Sequence, residues 1–416
     1  MTNIAPTLAP SHLSAPVADE DDLLARFAPV LERIAAGNTE RERHRKFPFE
    51  EVDELNRAGF GRIRIPVELG GFGASLEQTF VLLARLGAAD ANVAHVWRNH
   101  LAFVEDRLNA APSEGNARWI ARFLDGEFVG GGWTEANNGT FANIATTVRR
   151  VGDAYRVTGA KYYATGSLYA DWLDVIGKDD DGSLYTALVR RDDPGVELVD
   201  DWTGFGQQTT ASGSATYTDV PADPDDVFPA SERFVYQGHF YQTAILAVLT
   251  GITQAALRDG ITALRERGRN YPQGLDPVPA RDAQVLQVIG EVSAQVFAAE
   301  SALRTVARSL DAVAAAQAAG DLTARGRAVT DAQVATDHAQ LVIIEAALTA
   351  TTTVFDALGA SGVSTDRLLD RHWRNARTLA SHNPRVYKAR IIGDWLVNGT
   401  DPVPDLGLFG RGGQGN

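Results

Sequence analysis

Apolar residues recur at helical spacing from the first quarter of the chain. Between Asp21 and Ala35 they fall at Leu23, Leu24, Phe27, Val30, Leu31 and Ile34, the stripe of one amphipathic helix. Phe49 to Ala58 continues the pattern. A Pro/Gly loop from Arg64 ends at Ser75, a residue suited to capping a helix over Leu76 to Leu86. Asn92 to Leu108 and Ser113 to Leu124 predict two more helices. Near Glu127 the period shortens to two. Arg149 to Val157 alternates about Gly152-Asp153, which predicts a hairpin, and Lys161 to Thr165, Leu173 to Ile176, Leu184 to Val189 and Ala215 to Tyr217 predict short strands. Asp192 to Pro194, Thr203 to Gly213 and Val220 to Pro229 read as turns. After Phe234 the helical period returns. Apolar residues at 285, 288, 292, 296, 299, 303, 306, 310 and 313 predict a long helix packed lengthwise against others. Asp331 to Leu358 predicts a second, and Pro384 to Asn398 a last one, stopped by Gly399 and Pro402.

This order predicts a mainly α protein with a β middle domain. The expected parts are a flexible lead-in over 1–20, an α domain over 21–126, a β barrel or sandwich over 127–233, a four-helix bundle over 234–398 and a flexible tail over 399–416. A chain of 416 residues is long enough for two or three domains.

Charge and composition narrow the function. The net charge of −14 argues against non-specific nucleic-acid binding and against an anionic membrane surface. No uninterrupted apolar run reaches about 18 residues, so no membrane span is expected. The N-terminus lacks a basic region and a continuous apolar segment, so a secretory signal is not expected and a cytoplasmic location is. The chain has no cysteine, and its one methionine is Met1. That excludes thiolate chemistry and cysteine-ligated metals, and no metal site is expected. Sulfur economy suits a site that handles peroxide, or a protein made under sulfur starvation; drift in an Ala- and Arg-rich genome gives the same composition.

The densest chemistry lies in R-H-W-R-N-A-R-T-L-A-S-H-N-P, Arg371 to Pro384. Arg371, Arg374 and Arg377 stand three apart and share one broad helix face, able to present cations to a phosphate or to acidic groups. A surface helix with solvated arginines reads the same way. The tail G-R-G-G-Q-G, Gly410 to Gly415, spells a dinucleotide fingerprint. It has no strand before it and no helix after it, so it is read as a tail. No Walker A motif, H-E-x-x-H or nucleophile-elbow serine occurs.

Three segments, in order, are similar to a known family. They are A-D-A-N-V-A-H-V-W-R-N-H-L-A-F (Ala89 to Phe103), W-T-E-A-N-N-G (Trp133 to Gly139) followed by G-A-K-Y-Y-A-T-G-S (Gly159 to Ser167), and the arginine segment. Together with the order helices, β domain, long helices, they resemble the acyl-CoA dehydrogenase fold superfamily. Within it they resemble the dibenzothiophene monooxygenase-like branch of two-component flavin-dependent monooxygenases. The resemblance implies reduced FMN supplied by a separate NAD(P)H-dependent flavin reductase, dioxygen, and a flavin C4a-hydroperoxide. It implies one oxygen atom inserted into a small organosulfur or aromatic heterocyclic substrate, and a homotetramer.

It also implies roles. His100 and His382 would line the pocket beside the flavin adduct, and Thr165 would stand at flavin N5. Trp133, Thr134 and Glu135 would lie along the isoalloxazine, and Arg377 would help close the flavin site. Arg269, in R-E-R-G-R-N-Y, would reach a neighbouring subunit's flavin phosphate, with Arg265 and Arg267 as competitors. Gly359 and Gly362, in G-A-S-G, would approach the cofactor across the subunit boundary; a helix C-cap reads the same way. Each of these residues also has an ordinary structural reading: a strand threonine, a core tryptophan, a satisfied histidine. His12, His44, His95, His239, His338 and His372 are read as structural. Two departures matter. Leu379 to Asn383 offers no carboxylate, where many acyl-CoA dehydrogenases carry a catalytic glutamate. Leu379 also stands where the dibenzothiophene branch has a second histidine. The competing readings are an acyl-CoA dehydrogenase-type desaturase and a non-catalytic helical binding protein.

Overall fold

The computed structural model describes residues 19–136 and 143–402. The tail fingerprint, most of the N-terminal lead-in and the last three residues of W-T-E-A-N-N-G lie outside them.

Five helices open the fold: α1 (Glu20–His44), α2 (Phe49–Ala58), α3 (Leu76–Ala89), α4 (Ala91–Asn109) and α5 (Glu114–Leu124). Their starts follow from side chains that satisfy free backbone N–H groups. Ser75 and Gln78 form a reciprocal capping box on α3, and Asp90 accepts from Asn92 and Val93 at the start of α4. α4 is buried along most of its length, which brings polar residues such as His95 and Asn99 into the interior.

Eight strands follow: β1 (Val129–Gly132), β2 (Thr147–Val151), β3 (Ala154–Lys161), β4 (Trp172–Lys178), β5 (Leu184–Arg190), β6 (Val196–Val199), β7 (Ser214–Ala222) and β8 (Val227–Pro229). They form one mixed sheet in the order β6-β7-β3-β2-β4-β5-β8, with β1 parallel to β4. The hairpin expected about Gly152-Asp153 joins β2 to β3. Two expectations need correction. Lys161 to Thr165 is not a strand: β3 ends at Lys161 and the chain turns, with Tyr163 at φ 60°. The run Val220 to Pro229 is not all turn, because it completes β7 and forms β8.

The C-terminal helices are α6 (Gln237–Arg265), α7 (Ala283–Ala318), α8 (Leu322–Thr353), α9 (Asp370–Ala380) and α10 (Lys388–Asn398). From Val292 the apolar stripe of α7 is buried as its spacing predicts. α6 is the central helix, packed against α3, α4, α7, α8 and α9. By length and composition two stretches, α6 and 322–357, are apolar enough to cross a membrane; 89% of the α6 window is buried inside the molecule.

Candidate active site

A cavity of about 660 Å³ lies where α4, α6 and the end of α9 meet the sheet. That is within the range of cofactor and small-molecule sites. One wall comes from the sheet side: Trp133, Thr134, Glu135, Thr165 and Ser212. The other is helical: His95, Arg98 and Asn99 from α4, Tyr241 and Gln242 from α6, and Leu379 and His382 from the α9 end.

The sheet-side wall is held under constraint. Asn99 Nδ2 donates to the backbone carbonyl of Thr165 at 3.0 Å. Gly131 allows this approach, since a Cβ there would stand 2.2 Å from Asn99 Nδ2. Tyr162 N–H donates to Thr134 O, Ala164 N–H to Gly213 O, and Gly166 N–H to Thr210 O. Three non-glycine residues here have left-handed backbones: Tyr163 (φ 60°), Gln207 (φ 54°) and Ala211 (φ 53°). Such strain concentrates at binding sites, where surrounding contacts over-determine it.

The hydroxyl of Thr165 sits in a directed chain. Thr210 Oγ1 donates to the carbonyl of Gln207 at 2.8 Å, which uses its only proton. Ser212 must then donate to Thr210 across 2.7 Å, and Thr165 to Ser212 across 2.7 Å. Thr165 Oγ1 therefore keeps its lone pairs for the cavity, and is an acceptor there.

Trp133 is fixed from behind. Its indole N–H donates to Asp174 Oδ2 at 3.1 Å, and Asp174 in turn accepts from Arg233, which also pairs with Asp106 at 2.7 Å. Glu135 faces inward. Its carboxylate accepts from the N–H groups of Ala145 and Thr146, the Thr146 hydroxyl and Lys161 Nζ. Burial alone would raise its pKa, but these donors outweigh burial and hold it at about 2. Glu135 is thus a tether with a locked carboxylate. It is also the only acidic residue among those lining the cavity, so none of them offers a free carboxylate base.

On the helical wall, His95 donates from Nδ1 to Gln207 Oε1 at 3.0 Å, and its Nε2 is buried without a partner. Asn375 Oδ1 accepts from Gln207 N–H at 2.6 Å and anchors that contact to α9. Burial, then the neighbouring Arg98, hold the His95 pKa well below its ordinary value. Arg98 donates to His382 Nε2 at 2.9 Å and lies over the Tyr241 ring at 5.3 Å. Since Arg98 can only donate, His382 Nε2 is an acceptor and its proton is on Nδ1, 3.3 Å from Asn383 Oδ1.

His100, expected to line the pocket, does not. Its Nε2 donates to Gly61 O at 2.9 Å, its Nδ1 accepts from Val129 N–H at 3.2 Å, and its ring stacks on Phe128. It is a core residue of an aromatic cluster that includes Trp97 and Phe123. His95, read as structural, faces the cavity instead. The signal was available: His95, Arg98 and Asn99 stand at i, i+3 and i+4 on one helix face.

The arginine face of α9 is also different from the expectation. Arg371 is taken up by Asp259 at 2.5 Å, and Arg374 by Glu42 and Asp370, each at 2.8 Å. Arg377 is half-buried, has no ion pair among the described residues and does not line the cavity. Arg269 is exposed in the loop after α6, away from the cavity of its own chain. Gly359 (φ 60°) packs against Tyr271, and Gly362 against Leu358; neither lines the cavity.

Comparison with known proteins agrees with this architecture. Models of the acyl-CoA dehydrogenase N-terminal and C-terminal domains match residues 22–127 and 243–385, together more than half of the chain. The chain belongs to the acyl-CoA dehydrogenase family. Among its relatives, dibenzothiophene monooxygenase of Mycolicibacterium goodii is 27% identical over 393 residues, covering 90% of this chain and 91% of that protein. A Pseudomonas putida protein named "Probable FMNH2-dependent monooxygenase SfnC" is 27% identical, covering 97% and 99%. The FMN-bound crystal structure of TdsC from Paenibacillus sp. A11-2 superposes with a TM-score of 0.84 at 27% identity, covering 92% of this chain and 99% of that one.

Proposed function

We propose that this protein is the oxygenase component of a two-component flavin monooxygenase, using reduced FMN and dioxygen on a small organosulfur or aromatic heterocyclic substrate. The observation that carries the reading is the acceptor character of Thr165 Oγ1 at the cavity wall. Reduced flavin carries a hydrogen on N5, and a buried acceptor is what that hydrogen needs. Other features support the fit. Trp133 is rigidly held at the wall, and unpartnered buried polar atoms (His95 Nε2, Arg98 Nε, Asn383 Nδ2) border the cavity. The FMN-bound structure of a relative supports the choice of cofactor.

When bound, reduced FMN supplies the two electrons with which dioxygen is divided between product and water. The chain's own residues do the rest. Thr165 would accept the N5 hydrogen, Trp133 and Thr134 would hold the ring, and the helical wall would exclude water. Neutral His95, with a free Nε2 lone pair, can accept a hydrogen bond from a reacting group, and His382 on the same wall orients Arg98. Among the described residues lining the cavity, the locked Glu135 and apolar Leu379 leave no free carboxylate base for substrate desaturation, which disfavours the dehydrogenase reading.

The partner in this reading is a cytoplasmic NAD(P)H-dependent flavin reductase, and the product of sulfur oxidation suits desulfurisation. Assembly as a homotetramer through the C-terminal helices is supported by exposed apolar residues there, including Phe297 at 72% exposure on α7 and Val397 at 81% on α10. Arg269 would then serve a neighbour's flavin phosphate. The test is FMN affinity alongside light scattering. Arg269→Ala should weaken FMN binding without altering the assembly or the fold. A monomer that binds FMN as tightly as the reading requires of the oligomer contradicts the shared site.

A further inference from the structure

Among the described residues Arg98 is a cation without a counter-ion. It is half-buried within the fully buried middle of α4, lines the cavity, and has no carboxylate within ion-pair distance among the described residues. By contrast, the more deeply buried Arg64, Arg233 and Arg371 each have a carboxylate partner. The groups around Arg98 are His382, which accepts one of its hydrogens, and Tyr241, whose ring face it overlies. Its Nε is buried with no partner. His95 and His382 are held neutral, so neither adds nor cancels charge, and Glu135 across the cavity is already neutralised by Lys161. Gln242 lines the same wall with its carbonyl committed to Gln340 Nε2, which leaves its amide hydrogens as donors. Burial lowers the pKa of Arg98 to about 10, with Tyr241 the one group acting the other way.

An unpaired guanidinium becomes costly once an occupant of the cavity strips its remaining water, unless that occupant compensates it. Among the described residues no side chain supplies a compensating charge, which leaves a group that enters the cavity to do so. The flavin-facing acceptor and aromatic, Thr165 and Trp133, are on the sheet side. Arg98 belongs to the opposite wall, where the substrate would lie.

We infer that Arg98 anchors an oxyanion on the substrate. The substrate class is then a small organic acid, a carboxylate, sulfinate or sulfonate, with its charged group on Arg98 and Gln242. Arginine's planar fork suits such two-oxygen groups. The inference rests on the flavin monooxygenase reading and narrows it. A wholly apolar heterocycle would leave the guanidinium desolvated and uncompensated, so acids are preferred to neutral molecules of the same shape.

The test uses the full chain loaded with FMN and two probes of one shape, benzenesulfinate and neutral methyl phenyl sulfoxide. Binding is followed by quenching of Trp133 and Trp202, both of which line the cavity. Benzenesulfinate should bind roughly tenfold or more tightly than the sulfoxide, as a charge-assisted pair implies. Arg98→Met should remove that preference while FMN affinity stays as in the parent. Arg98→Lys, which keeps the charge without the fork, should retain part of the preference and carries the test should the methionine variant not fold. Equal binding of the two probes by the parent protein overturns the inference. Loss of FMN binding in Arg98→Met also overturns it, since the guanidinium would then serve the flavin. Failure of the parent protein to bind FMN at all sinks the flavin reading itself, a result separate from the probe preference.

Discussion

Arg98 on α4 donates to Nε2 of His382 beyond the end of α9, 2.9 Å away and 284 residues later in the chain. This bond ties the N-terminal helices to the C-terminal ones across the cavity and sets the tautomer of His382. The imidazole presents a lone pair to Arg98 and a hydrogen to Asn383. With Nε2 accepting from Arg98 the ring carries a single proton and is neutral, and desolvation and the Arg98 charge both lower its pKa. It is therefore a positioned dipole and not a resident proton donor.

The two histidines of α4 should behave oppositely. His95→Ala, like His382→Ala, should reduce product while leaving FMN binding and folding intact, with oxygen still consumed and released as peroxide. His100→Ala should do the reverse. Losing its stacking and two hydrogen bonds should cost about 2–4 kcal/mol of stability, with normal product per folded molecule. Product, peroxide and denaturation midpoints measured on all three variants decide this. An unchanged midpoint in His100→Ala would refute its structural assignment.

Thr165 should act through its oxygen, not its bulk. Thr165→Val keeps the shape and removes the acceptor, and product formation should fall about a hundredfold, by analogy with the loss of one preorganised hydrogen bond. Thr165→Ser should retain most of the activity. Equal losses in both variants would assign the effect to packing.

Acid should destabilise the protein well above the carboxylate range. His95, His100 and His372 are buried, and burial lowers each pKa, to about 4 for His100 and His372. For His372 burial is the largest cause, followed by the neighbouring Arg371 charge. A lowered histidine pKa means that the unfolded chain binds protons first. Stability is therefore full above the unfolded value near 6.5 and is lost as pH falls below it, at about 2 kcal/mol per buried imidazole between pH 7 and pH 5. Denaturant unfolding at the two pH values, with proton uptake on unfolding, measures this. Stability unchanged down to pH 5 would contradict it.

Much of the helical framework was legible in the sequence because its period is strong. Phe49 to Ala58 coincides with α2, and Ser75 caps α3 as its position before the apolar run predicts. β1 was not legible: V-G-G-G has no alternation and no strand preference, and it is held by pairing with buried β4. The segment after Lys161 misled because Tyr-Tyr-Ala-Thr has strand composition, while its contacts with Thr134 and the 210–213 loop bend it into a left-handed turn. On α4 the family resemblance drew attention to His100, whereas the face that meets the cavity is set by helix geometry and carries His95. Arg98 was passed over because an arginine in a helix reads as surface until the helix is known to be buried. The α9 arginines misled in the opposite sense, since the carboxylates that occupy them, Glu42 and Asp259, come from distant helices.

The most direct measurement is made on the flavin itself. Photoreduced FMN is mixed with the purified protein without oxygen, then with aerated buffer, and the return of oxidised-flavin absorbance is followed. The account predicts an effect that saturates at one flavin per chain, with reoxidation slower than that of free reduced FMN, and slower than in Thr165→Val. It also predicts no NADH oxidation by the protein alone. Reoxidation identical to that of free flavin at every protein concentration, or steady NADH turnover without a reductase, would contradict it.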